Sequence, residues 1–192
     1  MVRNAFRARG HDAWSCDLLD ADPHSTYHIK SDVQEWLRAT NTDDVHHGVW
    51  DLLIAHPPCQ FLSVSGLHWN KRRPERAEQT EAAARFFMAL WNAPIERVCI
   101  ENPIGCMSRR FRKPDQIIQP WQFGHDASKA TCLWLRGLPP LVPTNVLPGG
   151  RQARRANQTA SGQNKLGPSP DRWKMRSITY SGIAAAMARQ WG

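Results

Sequence analysis

The sequence predicts an α/β fold with a mainly parallel sheet, and three observations indicate this class. Short apolar segments alternate with segments of helical periodicity along the chain. Residues 50–55 (WDLLIA) are apolar at all positions but one, as expected for a central strand covered on both faces. Residues 75–92 follow Pro74 and repeat apolar side chains at helical spacing, which predicts a long amphipathic helix.

The other elements follow in order along the chain. Gly10 is a stop signal for the first helix, and Ser31 can cap the second. Before residue 50 the pattern predicts a helix, two strands and a helix, at 2–9, 13–16, 27–29 and 31–37. After the long helix it predicts three strands and a closing helix, at 97–100, 116–118, 130–135 and 181–191. The segment 139–176 is rich in Pro, Gly, Asn, Gln and Ser, which predicts a long loop that is either functional or disordered.

Length and charge restrict the class of protein. The chain has 192 residues, which suits one domain, and a formal net charge of +8. A basic balance favours polyanionic partners, nucleic acid above all, and basic residues are concentrated between 149 and 176. The sequence has neither a long apolar stretch nor a secretory signal, so we expect no membrane contact and a cytoplasmic location.

The five cysteines form no C-x-x-C pair, so we expect neither a disulfide framework nor a metal site. Cys99 and Cys132 lie in apolar segments, where a thiol is an ordinary small buried group. Cys59 instead follows two prolines at the end of a predicted strand. It is therefore the candidate nucleophile.

Two motifs follow predicted strands. Pro57-Pro58-Cys59-Gln60 comes after strand 50–55, and Glu101-Asn102-Pro103 comes after strand 97–100. Ligands of open α/β sheets bind at the carboxyl ends of the strands, so we expect both motifs at one site. The prolines stiffen the loop and hold the next side chain in a fixed place.

These two motifs, in this order, resemble the central catalytic motifs of the DNA cytosine-C5 methyltransferases. That family has a Pro-Cys motif followed by Glu-Asn-Val or a close variant, and Pro103 takes the third place here. The resemblance covers residues 1 to about 137 and the closing helix. It implies a Rossmann-like fold that uses S-adenosylmethionine as methyl donor.

The resemblance also implies a role for each motif. The Cys59 thiolate adds to C6 of cytosine while Glu101 protonates or hydrogen-bonds N3, and together they make C5 nucleophilic. C5 then takes a methyl group from the cofactor, and loss of the C5 proton expels the thiolate. The other residues expected at the substrate base are Pro58, Gln60, Ser63, Asn102 and Pro103.

Three further residues are implied as cofactor contacts. Asp17, with Asp20 as the alternative, would bind the ribose hydroxyls of S-adenosylmethionine. Asp32 would contact the adenine amino group, and Pro57 would lie near the methionine moiety.

The family opens with a strand and a Phe-x-Gly-x-Gly loop, which this sequence lacks, so we expect an N-terminally truncated fold. A chain start placed too far downstream, a real truncation and a copy without cofactor binding all explain this. The expected organisation is a catalytic core at 1–138, a basic loop at 139–176 and a closing helix of the same domain at 177–192.

The family's large target-recognition domain is also missing, as in short methyltransferase-like proteins of bacteriophages. We expect Arg151, Arg154 and Arg155 of the basic loop to bind DNA phosphates while a cytosine is flipped out of the duplex. His56, near the expected cleft, is a candidate for assisting the Cys59 thiolate, and an ordinary position beside Pro57 is the alternative. We assign no role to His125, Lys129 or Arg136, and we expect His46-His47 in a surface loop.

A DNA (cytosine-5-)-methyltransferase is the leading hypothesis. A methylase of free cytosine nucleotide or of RNA is the first alternative, because the recognition domain is missing. A catalytically silent nucleic-acid-binding protein that keeps the fold is the second, because the glycine loop is absent and the chain is basic. The sequence indicates no oligomeric state.

Overall fold

The structure is a computed structural model that describes residues 1–21, 23–39, 50–170 and 172–192. These residues form two compact units. The sheet unit comprises residues 15–117 and 131–140, and the terminal unit comprises residues 1–14, 118–130 and 141–192. This division differs from the boundaries at 138 and 176 that the sequence suggests.

The elements follow the chain in an alternating order of helices and strands. They are α1 (Val2–Arg7), β1 (Ser15–Asp17), β2 (His28–Lys30), α2 (Val33–Ala39), β3 (Leu52–Ala55), α3 (Cys59–Leu62), α4 (Val64–Leu67), a 3-10 turn (His68–Lys71), α5 (Pro74–Trp91), β4 (Arg97–Pro103), α6 (Met107–Arg110), β5 (Gln116–Ile118), a second 3-10 turn (Pro120–Gln122), β6 (Thr131–Arg136), α7 (Arg172–Ser177) and α8 (Ser181–Trp191).

The strands form two sheets. β1 and β2 make a parallel pair, and the other four strands lie in the order β3-β4-β6-β5. β3 runs parallel to β4, with Ala55 opposite Ile100, whereas β6 runs antiparallel to β4. The predicted α/β class is confirmed.

β4 is longer than the sequence pattern predicts. The strand was expected to end at Ile100, but it continues to Pro103 because β6 pairs with it that far. Glu101 lies opposite Leu133, and Pro103 lies opposite Thr131. The polar motif is therefore inside the strand rather than after it.

The residues after Cys59 fold into short helical turns. Two other local predictions differ from the structure. Asp32, not Ser31, caps α2, since its Oδ1 accepts the backbone N–H of Gln34 at 2.9 Å. The predicted loop 139–176 includes most of a helix, α7. His46-His47 lies outside the described residues.

The core of the sheet unit lies between α5 and the strands β3, β4 and β6. Phe87 of α5 is fully buried and meets Trp134 of β6 edge to face, with ring centroids 5.1 Å apart. Burying one such side chain contributes about 2–3 kcal/mol. This packing fixes α5 against the sheet.

In the terminal unit, α1 packs against α8. The buried face of α8 includes Ile183, Met187 and Trp191. His125 caps this helix, because the Gly182 backbone N–H donates to its Nε2 at 2.9 Å. Across the described ranges, no helix is both long and apolar enough to cross a membrane.

Candidate functional site

The two motifs meet at the neighbouring ends of β3 and β4. The parallel register sets Ala55 opposite Ile100, so the residues that follow continue side by side. Asn102 Nδ2 donates a hydrogen bond to the carbonyl oxygen of Pro57 at 3.0 Å, and both residues are buried. Asn102 therefore ties the proline loop directly to the strand that carries Glu101.

A second connection joins the segments beyond the motifs. The Val64 N–H donates to the Ile104 carbonyl at 3.1 Å, and the Cys106 N–H donates to the Leu62 carbonyl at 2.9 Å. Gly105 lies between these bonds, where a Cβ would come within 1.9 Å of the Leu62 carbonyl oxygen. The close approach of the two backbones thus requires glycine at this position.

Cys59 is the accessible thiol of the chain. It is the first residue of α3 and is exposed, whereas the other four cysteines are buried or half-buried. Burial raises the pKa of the Cys132 thiol to about 11 and that of Cys99 well above its usual range. Burial also raises the pKa of the Cys16 and Cys106 thiols. Of the five cysteines, Cys59 has the access that a nucleophile needs.

Glu101 contributes a buried carboxyl group. Its side chain is 9% exposed, and its Oε2 is fully buried without a hydrogen-bond partner. The Nδ1 of His56 lies 3.4 Å from Oε2, which is close enough for an ion pair but does not make a hydrogen bond. A buried polar atom without a partner costs about 1–3 kcal/mol. A ligand that forms a hydrogen bond with Oε2, as a donor to the carboxylate or as an acceptor from the carboxylic acid, would remove this cost.

Sequence reasoning considered His56 only as an aid to the Cys59 thiolate and did not connect it to Glu101. Its imidazole is 41% exposed and lies at the end of β3, directly before Pro57. The sequence offered one signal for its role, its position directly after a predicted strand. Parallel pairing brings the residue after β3 beside the corresponding residue of β4. The contact with Glu101 could not be predicted from the sequence, because it depends on the register between β3 and β4.

Helix α5 supports the Cys59 segment from behind. The Arg76 guanidinium donates to the carbonyls of Gln60 at 2.6 Å and Gly66 at 3.3 Å, and it lies over the Phe61 ring. The Thr80 hydroxyl donates to the Phe61 carbonyl at 3.1 Å. Sequence reasoning missed both supports, and a solitary Arg or Thr on a helix gave no signal for them.

The remaining predicted substrate residues of this unit surround Cys59 or end β4. Pro58 and Gln60 flank Cys59 and are exposed. The Ser63 hydroxyl lies 3.1 Å from the Ser65 hydroxyl, and Pro103 is the last residue of β4.

The predicted cofactor aspartates lie at the ends of β1 and β2. Asp17 ends β1, is exposed and accepts the Leu19 N–H at 2.9 Å. Asp32 follows β2 and caps α2. Asp20 is bound by Lys30 at 2.8 Å, a contact that lowers the pKa of its carboxyl. Asp17 is therefore the better acceptor for hydroxyl donors of the two alternatives.

No three His, Cys, Asp or Glu side chains converge on a possible metal site within the part of the chain that is described.

The predicted nucleic-acid arginines belong to the terminal unit. Arg151 and Arg154 are exposed. Arg155 is only 5% exposed, donates to the Gly150 carbonyl at 2.7 Å and stacks over Trp121. This placement contradicts the predicted phosphate contact of Arg155, because its guanidinium is used inside the unit.

Arg136, to which sequence reasoning gave no role, supports the end of α5. Its guanidinium donates to three backbone carbonyls, those of Trp91, Ala93 and Ile95. It therefore binds the last carbonyl of α5 and two carbonyls of the turn that leads into β4.

The site has to be interpreted from its own residues. No family model matches the chain, and no curated protein matches it significantly. An accessible thiol and a buried carboxyl on two connected strand ends are the features that any functional interpretation must explain.

Proposed function

We propose that this chain is a cytosine C5-methyltransferase of Rossmann-like fold that acts on DNA. One observation carries the proposal: a buried Glu101 with a partnerless Oε2 lies on the strand that Asn102 ties to the loop of the exposed Cys59. This reaction needs a nucleophile and a proton donor on two fixed backbones.

The chemistry assigns one task to each side chain. The Cys59 thiolate forms a bond from Sγ to C6 of cytosine, and the electrons of the C5–C6 double bond are stabilised as Glu101 delivers a proton to N3. When bound, S-adenosylmethionine supplies a methyl group to C5 from its sulfonium. The C5 proton then leaves to water, the Sγ–C6 bond breaks and the N3 proton returns to Glu101.

Burial explains why Glu101 suits the donor role. A carboxyl that is 9% exposed competes with little water, so a hydrogen bond to the base ring is stronger than it would be in solvent. The bond from Asn102 to Pro57 limits movement of the cysteine loop relative to Glu101. Both features favour a fixed distance between nucleophile and acid.

Asp17 and Asp32 are the residues that would hold the cofactor. They lie at the ends of two adjacent parallel strands, and their carboxylates are acceptors that fit ribose hydroxyls and an adenine amino group. Pro57, which is buried, would adjoin the methionine end. These residues would orient the cofactor, while the chemical steps on cytosine depend on Cys59 and Glu101.

DNA is the proposed substrate because the chain is basic and carries exposed arginines. The net charge is +8, and Arg151 and Arg154 are available for phosphate contacts. A stacked cytosine presents neither face of C6 to a thiol, so the base must leave the duplex before the reaction.

Covalent trapping tests the proposal. DNA with 5-fluorocytosine, incubated with S-adenosylmethionine, should form a stable adduct, because fluorine cannot leave C5 as a proton does. We expect the adduct with the wild-type protein and with Cys106→Ser, and none with Cys59→Ser. Mass spectrometry of the adduct locates the modified residue.

The same experiment separates the alternatives. An adduct with fluorinated RNA or nucleotide, but not with DNA, would show that RNA or the free nucleotide is the substrate instead of DNA. Calorimetry would first establish that the protein binds the cofactor. Cofactor binding without an adduct on any of the three substrates would refute the proposed chemistry.

A further inference from the structure

We propose that His56 is the residue that supplies Glu101 with its proton. This inference rests on the proposed function and concerns the same site. His56 would act through Glu101, so it is a positioning and proton-transfer residue rather than a group that touches the base. The pair of side chains would form a route from solvent to N3 of the substrate.

The geometry of the pair supports this role. His56 Nδ1 lies 3.4 Å from Glu101 Oε2, so a small movement of the imidazole makes a hydrogen bond. The imidazole is 41% exposed, whereas the carboxyl is 9% exposed. One end of the pair therefore exchanges protons with water, and the other end is enclosed.

The described neighbours of Glu101 offer no better donor. The amide Nδ2 of Asn102 is engaged by the Pro57 carbonyl. The Cys99 thiol is buried, and burial together with the charge of Glu101 raises its pKa well above the usual range. Oε2 itself has no hydrogen-bond partner. His56 is thus the titratable group in contact with the atom that needs the proton.

The proton balance of the cycle is simple. An imidazolium proton passes from Nδ1 to Oε2, which leaves a neutral imidazole and a carboxylic acid. The acid gives this proton to N3 as Sγ bonds to C6. When C5 loses its own proton to water and the thiolate is expelled, the N3 proton returns to the Glu101 carboxylate and passes back to Nδ1 of His56, which restores the imidazolium and the carboxylate.

The test uses exchange of the C5 hydrogen, which reports addition to C6 without methyl transfer. After the thiolate adds and N3 is protonated, C5 can take a proton from water and release its original hydrogen. DNA with tritium at C5 of cytosine should therefore release tritium to water in the presence of the full-length protein. We expect this release to vanish in Cys59→Ser and in Glu101→Gln.

His56→Ala should slow the release about 100-fold or more, in the range of a lost general acid, while DNA affinity stays unchanged. Added imidazole should restore much of the rate in His56→Ala but none in Glu101→Gln. His56→Asn keeps a donor near the Nδ1 position but cannot pass a proton, so it should remain slow. His68→Ala, which removes another exposed histidine of the same unit, should behave like the wild type.

The following outcomes would each contradict the proposed role of His56. A wild-type rate in His56→Ala excludes His56 from the proton route. A wild-type rate in His56→Asn, or a slow His56→Ala that imidazole does not rescue, shows a structural role alone. If the wild type releases no tritium even with the cofactor, the proposed function itself fails. This outcome differs from a failure of the His56 inference alone, because the wild type and Cys59→Ser then give the same absence of release.

Discussion

At the scale of single residues, the two chemical groups of the site differ in their exposure to solvent. Cys59 is the exposed cysteine, and Glu101 is a buried acid with a partnerless oxygen. Asn102 connects the two motifs through one hydrogen bond to Pro57. The geometry of the proposed site therefore depends on a buried amide as well as on Cys59 and Glu101.

Asn102→Ala should reduce both stability and adduct formation. The substitution leaves the Pro57 carbonyl without its buried donor, so we expect the free energy of unfolding to fall by about 1–3 kcal/mol. The rate of trapping by 5-fluorocytosine DNA should fall further than the folded fraction does, because the cysteine loop loses its connection to β4. Urea unfolding and the time course of adduct formation measure the two effects.

Asn164→Ala provides the control for this variant, because Asn164 is exposed and belongs to the terminal unit. It should change neither quantity. A normal trapping rate in Asn102→Ala would show that the hydrogen bond stabilises the fold without aligning the thiol.

At the scale of elements, two backbone segments are joined closely beyond Cys59. The turn after α3 contacts the turn after β4 through Leu62, Val64, Ile104 and Cys106. α5 adds side-chain donors to the carbonyls of the same segment. This arrangement makes the Cys59 segment an ordered part of the sheet unit.

Gly105→Ala should displace the Cys59 segment. A Cβ at this position would lie 1.9 Å from the Leu62 carbonyl oxygen, and backbone cannot yield as a flexible side chain does. We expect a lower melting temperature and a loss of trapping. Gly167→Ala is the matched control, since a Cβ there meets nothing within 4 Å. Equal melting temperatures for the two variants would contradict the close packing of these turns.

At the scale of the whole molecule, the net charge of +8 would govern the proposed association with DNA. Each phosphate contact releases counterions, so DNA affinity should fall steeply as salt rises. The exposed Arg151 and Arg154 are candidates for such contacts, whereas Arg155 is enclosed by Trp121 and its own loop.

Log affinity falls linearly with log salt concentration, and roughly one counterion is released per phosphate contact. The double variant Arg151→Gln with Arg154→Gln should therefore make this negative slope shallower by about two. Arg155→Gln should leave this slope unchanged and lower the melting temperature instead. Fluorescence anisotropy with a labelled duplex measures the slope. An unchanged slope in the double variant would remove the basic segment from the proposed interface.

Much of the secondary structure could be predicted from the sequence, because apolar periodicity reflects which faces are buried. The closing helix has the predicted bounds, and the long helix differs by one residue at each end. The end of β4 could not be predicted, because Glu101 and Asn102 are polar and their strand state depends on pairing with β6. The turns after Cys59 depend similarly on α5.

The sequence by itself determined the α/β class, the basic charge and the two motifs with their candidate nucleophile and acid. These are local properties: composition, period and residue type are present before the chain folds. Only the tertiary structure decided that His56 lies beside Glu101, that Asn102 binds Pro57 and that Arg155 is enclosed. These facts depend on strand register and burial, which arise when segments distant in sequence pack together.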